Sequence, residues 1–422
     1  MPNYFKRLYT GGWRQFETID IGFHDRMTIL TGANGAGKTA LLRILSRHFG
    51  ASLSELRTPD WDKISGSLRY HAPVHLRQTS FDDTPERTTV IGKLQYETAE
   101  GIAGAQILLL SPTGPRDVTY RINLSPQVLI EGLMISSHRS VFRYTGESSL
   151  SLSPTSTPEW FDTYRSISLR SIGGENWSPM DLIKQTLLEW GIYSGRNSAL
   201  RHRPESKENF EAFSELLRDI LPIEIGFKSL EVRSPEVVLK TDSGDFMLDA
   251  VSGGIAALFE LVWPIFLFDP ARRKAITVAI DEPENHLHPS LQRTLLNTLM
   301  NGFPQVRFVI ATHSPLIVGS VENSSVYALR FNSFHRVESE LLDFSVRSGT
   351  ANEILREVLG VGVTSPVWVE RQIDDLVRRF STREMSDELL KELRSALLEL
   401  GFGEYVPSTI AQVAASNRKA SE

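Results

Sequence analysis

One short motif constrains the fold of this chain more than any other feature of the sequence. The run Gly32-Ala33-Asn34-Gly35-Ala36-Gly37-Lys38-Thr39 matches G-x-x-x-x-G-K-[ST], the pattern of a phosphate-binding loop. The apolar residues 27–30 precede the run, and leucines at helical spacing follow it. This order of strand, loop and helix lets backbone N–H groups and a helix N-terminus cradle phosphate oxygens. The sequence therefore predicts a P-loop NTPase with an α/β fold.

The residue types in this loop each have a chemical role. Glycines allow positive φ angles and close approach of the backbone to a ligand. We expect Lys38 to reach the β- and γ-phosphates and the Thr39 hydroxyl to ligate Mg²⁺. The expected ligands of residues 32–39 are therefore ATP and Mg²⁺.

A second predicted strand ends in two carboxylates. Residues 276–280 are apolar without alternation, which is typical of a central parallel strand, and Asp281 and Glu282 follow. At that sheet edge Asp281 would hold Mg²⁺ through water, and Glu282 could polarise the attacking water. The next strand, residues 306–311, leads to His313, which could hydrogen-bond a γ-phosphate.

The same segment suggests an alternative, a zinc site. His286 and His288 lie close in sequence to Asp281, Glu282 and Glu284, and His and carboxylates are zinc ligands. We prefer to assign residues 283–288 to a turn before a helix that starts at residue 289. Mg²⁺ is therefore the expected metal.

Composition excludes several classes of protein. The 422 residues carry 45 basic and 51 acidic side chains, a net charge of −6, and no cysteine. A globally basic nucleic-acid coat, a disulfide framework and a cysteine nucleophile are thereby excluded. Residues 1–8 lack the apolar region of a signal peptide, and the apolar stretch 255–268 is shorter than the ~20 residues of a bilayer span. We expect a cytoplasmic enzyme that does not contact a membrane.

Patterning along the chain predicts four regions. Residues 1–145 form a first ATPase lobe with the phosphate-binding loop, strand-like segments at 12–16 and 19–23, and an antiparallel β layer. Residues 146–222 form a Ser/Thr/Pro-rich linker and a helical insert. Residues 223–345 form a second lobe that starts with a β-hairpin pair at 223–250. Residues 346–422 are helical, with a capping box at Thr350 and Glu353.

These motifs, together with Val251-Ser252-Gly253-Gly254, resemble the ATP-binding-cassette (ABC) ATPase superfamily. More narrowly, Asp281-Glu282-Pro283-Glu284-Asn285-His286-Leu287-His288-Pro289 and Ala311-Thr312-His313-Ser314-Pro315 resemble the branch that contains RecF, the SMC-like ATPases and the OLD-family ATPases. The resemblance covers residues 4–50 and 245–330, and more loosely 350–380. It implies an ABC ATPase head with an antiparallel β layer, a mixed central sheet, a helical insert and a helical C-terminal tail.

The resemblance also implies how the site works. ABC heads dimerise head to tail, so Ser252, Gly253 and Gly254 would contact the γ-phosphate bound by another protomer. Glu282 would be the catalytic base, His313 the phosphate sensor, and residues 288–289 part of the dimer contact. The N–H groups of residues 252–254 open an apolar helix, and such an N-terminus suits phosphate.

The sequence departs from the family pattern at two places. Val251 and Ile255 replace the leucine and the polar residue that usually flank Ser-Gly-Gly. The glutamine of the loop that connects the lobes is not identifiable, and Gln78, Gln95 and Arg139 remain open alternatives for its role.

Spacing narrows the resemblance further. From Thr39 to Ser252 is 252 − 39 = 213 residues, too long for a transporter cassette and too short for a long-armed SMC protein. OLD proteins continue into a nuclease domain that needs an Asp-x-Asp pair, which is absent after His313. We therefore expect a separately encoded effector, a nuclease, as in the Septu and PARIS anti-phage ATPases that this chain resembles.

Basic spots leave DNA or phage-protein contact open. They comprise Arg139, Arg143, Arg165, Arg170, Arg196, Arg201, His202 and Arg203. Solvated loops or ion pairs are the favoured interpretation. The alternatives to an effector-controlling ATPase are a RecF-like DNA repair ATPase and a nucleotide-gated scaffold with negligible turnover.

Overall fold

The computed structural model describes residues 2–50, 54–61, 66–74, 86–112, 117–138, 144, 155–170, 178–194, 203–342, 367–381, 383, 386–407, 409–410 and 412–413. Several predicted features lie outside these ranges. They are most of the Ser/Thr/Pro-rich linker, the capping box at residues 350–353, Gln78, Arg139, Arg143, Arg196, Arg201 and His202.

The described chain contains both strands and helices, with strands prevailing before residue 136 and helices between residues 157 and 220. The strands are β1 (Tyr4–Thr10), β2 (Phe16–Gly22), β3 (Met27–Gly32), β4 (Glu55–Leu56), β5 (Thr58–Trp61), β6 (Leu68–His71), β7 (Glu86–Thr98), β8 (Gly101–Pro112), β9 (Thr119–Ser125), β10 (Gly132–Ile135), β11 (Phe227–Arg233), β12 (Glu236–Thr241), β13 (Gly244–Met247), β14 (Thr277–Asp281), β15 (Arg307–Thr312), β16 (Ser325–Phe331) and β17 (Val337–Leu342). The helices are α1 (Lys38–Ser46), α2 (Thr157–Arg170), α3 (Pro179–Tyr193), α4 (Pro204–Ile220), α5 (Gly253–Phe268), α6 (Pro289–Gly302), α7 (Pro315–Val318), α8 (Val367–Ser381) and α9 (Asp387–Glu399).

A 12-stranded mixed sheet organises the molecule, in the order β10-β14-β15-β3-β16-β17-β2-β1-β7-β8-β9-β4. The first five strands are parallel, so β14, β15 and β3 end at one edge. The six strands from β2 to β4 in this order are antiparallel to one another. The predicted α/β fold class with a mixed sheet is confirmed. Between these two groups lies β17, which is antiparallel to β16 and parallel to β2.

Side chains of the central strands alternate between two hydrophobic cores. Met27 and Ile29 of β3 pack in a core with residues of α2 to α6. Leu30 of the same strand packs in a second core that encloses α1 and the antiparallel strands. Since successive side chains of a strand point to opposite faces, both faces of β3 must be apolar. This explains why residues 27–30, which precede the phosphate-binding loop, are mainly apolar and all buried.

One local prediction is wrong. Residues 12–16, predicted as a strand, form a turn in which Arg14 has a φ angle of 51° and the Phe16 N–H donates to the Trp13 carbonyl at 3.0 Å. The positive φ angle ends the extended backbone, and β2 begins only at Phe16. Residues 223–250, predicted as a β-hairpin pair, contain two successive hairpins that form a three-stranded antiparallel sheet, β11-β12-β13.

The chain divides into two compact units, residues 1–360 and 361–422. The second has its own small core, in which Val369 and Ile373 of α8 and Leu389 and Leu393 of α9 are buried. Its α8 carries Asp374 and Asp375, as expected for an amphipathic helix rather than a nuclease motif. None of the helices in the described part of the chain is both long and apolar enough to span a bilayer.

Candidate nucleotide site

The phosphate-binding loop connects the end of β3 to the start of α1. Gly32, Gly35 and Gly37 have φ angles of 144°, 80° and 95°, which side chains rarely adopt. A Cβ atom at Gly37 would come within 2.5 Å of both Gln15 Nε2 and the Phe16 ring. Glycine at position 37 is therefore required by backbone conformation and by space.

Lys38 and Thr39 open α1 and point to different partners. The buried Lys38 Nζ donates to the carbonyls of Gly32 at 2.8 Å and Ala33 at 3.2 Å. Thr39 Oγ1 donates to Asp281 Oδ2 at 2.8 Å. Parallel pairing of β14 and β3 with β15 between them brings these residues, 242 positions apart, to one sheet edge.

Burial alters the electrostatics of this edge. Desolvation lowers the pKa of Lys38, although the neighbouring carboxylates oppose the shift. Desolvation also raises the pKa of Asp281, which is 2% exposed, against the opposing hydrogen bond from Thr39. A cation beside Asp281 would offset the unfavourable burial of its charge.

Glu282 follows Asp281 in an unusual backbone conformation. Its φ angle is 46°, although it is not glycine, and its N–H donates to the Ala311 carbonyl at 2.8 Å. Asn285 Nδ2 donates to Glu282 Oε2 at 3.1 Å and to the Ser137 carbonyl at 3.0 Å. Left-handed backbone at a non-glycine residue is costly and is often found at functional sites.

The structure places His313 beside these carboxylates, as predicted. His313 Nδ1 lies 3.5 Å from Glu282 Oε1 and 3.4 Å from Glu284 Oε1. This leaves Nε2 as the ring nitrogen that can meet a ligand. Thr39, Asp281, Glu282 and His313 thus share one edge of the sheet.

Sequence reasoning missed the role of Glu284, which it considered only as a zinc ligand. This carboxylate is 5% exposed, and its Oε1 accepts hydrogen bonds from Thr312 Oγ1 at 2.7 Å, His313 N at 2.9 Å and Ser314 N at 3.2 Å. Glu284 therefore fixes the backbone from which the His313 side chain extends. Groups of three or more His, Asp or Glu that could hold a metal are absent from the described residues.

Gln15 is a second residue that sequence reasoning missed. From the turn between β1 and β2, its Nε2 donates to the Gly35 carbonyl at 2.9 Å. Gln15 lies in no recognisable motif, so only its contact with Gly35 in the folded chain identifies it. Of the glutamine alternatives, Gln95 lies on β7, paired in register with Arg7 of β1.

The Ser-Gly-Gly segment (residues 252–254) forms the start of α5. Ser252 is the N-cap residue, and its carbonyl accepts from Ala256 N at 2.9 Å. A Cβ atom at Gly254 would lie 3.3 Å from the His286 carbonyl, so the segment approaches the turn after Glu282. Among the described residues, no hydrogen bond joins it to the phosphate-binding loop of its own chain.

Comparison with known proteins adds to this geometry. The profile of the family described as AAA domain, putative AbiEii toxin, Type IV TA system matches residues 27–319. Septu protein PtuA from Bacillus thuringiensis is 21% identical over 382 residues, 86% of each chain. Retron Vc95 probable ATPase from Vibrio cholerae serotype O1 biovar El Tor is 32% identical over 76 residues, 17% of this chain and 15% of that protein. Among solved structures, the SMC head domain from Thermotoga maritima aligns with 81% of this chain and 100% of its own at 13% identity and a TM-score of 0.42.

Proposed function

The chain belongs to the family described as AAA domain, putative AbiEii toxin, Type IV TA system, and from this premise we propose that it is a Mg²⁺-dependent ATPase. The observation that carries the proposal is the 2.8 Å hydrogen bond between Thr39 Oγ1 and Asp281 Oδ2. It joins the phosphate-binding loop to the acidic strand end, and Glu282 and His313 lie beside it. This set matches the parts that a phosphate-transferring site needs.

The side chains at this edge fit Mg²⁺. Thr39 and Asp281 offer oxygen donors, which Mg²⁺ prefers. Burial raises the pKa of Asp281, so a bound cation would stabilise its ionised form. When bound, Mg²⁺ neutralises charge on the β- and γ-phosphate oxygens.

Each remaining side chain has a defined task in hydrolysis. When ATP binds, Lys38 Nζ donates to phosphate oxygens in place of the two loop carbonyls. The backbone N–H groups of the loop bind the other phosphate oxygens. Glu282 accepts a proton from the attacking water, while Asn285 holds one of its carboxylate oxygens in place. His313 donates to the γ-phosphate through Nε2.

A second protomer completes the site in this proposal. Ser252 and Gly253 stand at an open helix N-terminus, and their partner in the dimer would be the γ-phosphate bound by the other chain. ATP thus links two copies head to tail. Hydrolysis separates them.

We assign this cycle to anti-phage defence, with a separately encoded effector, a nuclease, as the protein that the ATPase controls. Support comes from the alignment with Septu protein PtuA over 86% of the chain and from the retron ATPase matches.

Two variants test the ATPase. Lys38→Ala should abolish ATP binding, because it removes the charge that meets the phosphates. Glu282→Gln should retain ATP and slow hydrolysis about 10²- to 10⁴-fold, since the base is lost while the binding residues remain. Glu322→Gln, an exposed change, is the matched control. Hydrolysis by Glu282→Gln at the wild-type rate would refute the assignment of the base.

The defence role needs a separate experiment. The Glu282→Gln protein should be expressed with its native flanking genes and purified in ATP. Recovery of a stoichiometric protein partner would support effector control. Recovery of DNA alone, with binding that weakens steeply as salt rises, would favour the RecF-like alternative.

A further inference from the structure

A buried cluster of charges lies outside the nucleotide site. Lys184 of α3 is 1% exposed, and its Nζ lies 2.7 Å from Glu236 Oε2 at the start of β12. The same Nζ contacts Asp249 Oδ2, and the Asp249 side chain is 4% exposed. We call Lys184, Glu236 and Asp249 the ion triad.

The ion triad contacts the chain just before the Ser-Gly-Gly segment. Asp249 belongs to a single 3-10 turn, Leu248–Ala250, and only Ala250 and Val251 separate it from Ser252. Leu248 is fully buried in the hydrophobic core, and Val251 N donates to the Leu248 carbonyl at 3.4 Å. The turn is therefore held at two adjacent points, by Leu248 in the core and by Asp249 on Lys184.

Opposite charges favour the charged form of Lys184 despite its burial. Desolvation alone would lower the pKa of Lys184, but the hydrogen bonds and charges of Asp249 and Glu236 outweigh it and raise the pKa. Desolvation raises the pKa of Asp249, and the hydrogen bond from Lys184 opposes this shift. Tyr144 adds a ring 5.2 Å from Lys184 Nζ.

Stability alone does not account for such a cluster. Buried ion pairs often contribute little net stability, because the cost of desolvation offsets the attraction of the charges. Replacing a whole buried ion cluster by apolar side chains of similar volume is often neutral or stabilising. The charges instead contribute a defined geometry, because the ion pair between Lys184 and Asp249 fixes the position of the Asp249 backbone relative to α3.

We infer that Lys184 is a positioning residue which, through Asp249, holds the Ser-Gly-Gly segment in the orientation needed to bind a second protomer's ATP. The inference rests on the proposed ATPase cycle and extends it. It also links the helical insert, α2 to α4, to the site in trans. A shift of α3 would move Asp249 and, three residues later, the N–H groups that meet the γ-phosphate. Displacements of about 1 Å can cost about 100-fold in rate.

The test distinguishes ATP binding by a single protomer from ATP hydrolysis by the dimer. Asp249→Asn preserves size and can still accept a hydrogen bond, and Lys184 keeps Glu236 as its partner. We expect its affinity for a fluorescent ATP analogue to stay within about twofold of wild type, since the phosphate-binding loop is untouched. Its kcat should fall about 10- to 100-fold. The protein concentration needed for half-maximal specific activity should rise. Wild-type kcat in Asp249→Asn would overturn the inference.

A second pair of variants separates positioning from folding. Lys184→Met leaves two buried carboxylates without a cation and can impair folding. The double variant Lys184→Met/Asp249→Asn removes part of this excess charge and should recover thermal stability while hydrolysis stays low. Full hydrolysis by the stable double variant would refute positioning. Lys207→Met, which removes an exposed ion pair with Glu211, is the control and should match wild type.

The ATPase proposal and the ion-triad inference fail in different ways. If wild type neither binds ATP nor differs from Lys38→Ala, the proposed function itself is wrong. If wild type hydrolyses ATP with the expected dependence on protein concentration and Asp249→Asn behaves identically, only the inference is wrong.

Discussion

At the scale of single residues, the proposed nucleotide site contains two kinds of side chain. Some are assigned to binding or hydrolysis of ATP, and others hold those side chains in position. Thr39 and Asp281 meet directly, whereas His313 depends on Glu284 for its place. Glu284 Oε1 accepts from two successive backbone N–H groups and a hydroxyl. The buried carboxylate therefore performs for residues 312–314 what a capping residue performs for a helix.

This arrangement predicts a separation between binding and turnover. Glu284→Ala leaves the N–H groups of His313 and Ser314 without their acceptor, so we expect a loss of about 1–3 kcal/mol in unfolding free energy. His313 should also lose its orientation, lowering kcat about 10- to 100-fold at nearly unchanged ATP affinity. Glu284→Gln keeps an acceptor oxygen and should retain most activity. Stability, kcat and nucleotide Kd check this, and wild-type kcat in Glu284→Ala would argue against a positioning role.

Sequence reasoning identifies some of these residues and not others for a physical reason. Lys38 and Thr39 are identifiable because phosphate binding needs fixed residue types at fixed spacing. Gln15 and Glu284 contact partners 20 or more residues away through ordinary polar side chains. No local pattern marks such contacts, so only the folded chain shows them.

At the scale of elements, the short 3-10 turn that follows α1 is buried among apolar side chains. His48 follows α1 in a short 3-10 turn and is 8% exposed. Its Nδ1 lies 3.1 Å from the Leu45 carbonyl and its Nε2 3.0 Å from the Tyr96 hydroxyl. Since a carbonyl only accepts, Nδ1 carries the proton of a neutral ring, and Nε2 accepts from Tyr96. Desolvation lowers the pKa of His48 to about 4.

The lowered pKa of His48 makes stability depend on pH in a defined window. Unfolded histidine has a pKa near 6.5, so between pH 6.5 and 4 the unfolded chain binds the extra proton and is favoured. The contribution of His48 is complete above pH 6.5 and is lost as pH falls toward 4, by about 3 kcal/mol in all. Urea unfolding of wild type and His48→Gln between pH 7.5 and 4.5 measures it. The difference in unfolding free energy between wild type and His48→Gln should change by about 3 kcal/mol over this range. For the control His71→Gln, at an exposed position, the difference from wild type should not change with pH.

Prediction of elements succeeded where the pattern is local and failed where pairing is distant. The buried parallel strands were evident from their mainly apolar segments without alternation, and β14 and β15 fall within a residue of the predicted segments. The parallel pair β17–β2, which joins the two parts of the sheet, brings Val337 opposite Phe16. No periodicity encodes a contact over such a distance. The turn at residues 12–16 was missed because Trp13 and Phe16 favour strands, whereas the positive φ of Arg14 decides the conformation.

At the scale of the whole molecule, the predicted resemblance to Septu proteins is confirmed. The family profile over residues 27–319 includes the phosphate-binding loop, the acidic strand end and His313, and PtuA aligns over 86% of the chain. The predicted region boundaries at 145, 222 and 345 remain predictions. Contact within the structure divides the chain elsewhere, at residue 360.

This division predicts that the nucleotide site does not need the C-terminal unit to fold. Both large cores lie within residues 1–360, and every residue assigned to ATP and Mg²⁺ lies there too. A fragment of residues 1–360 should therefore unfold cooperatively on heating. It should bind a fluorescent ATP analogue within about twofold of the full chain, since it retains every residue assigned to the nucleotide. The same fragment with Lys38→Ala provides the control. Aggregation or loss of nucleotide binding by the fragment would mean that residues 361–422 complete the fold or the site, which would place function in a unit where sequence motifs indicate none.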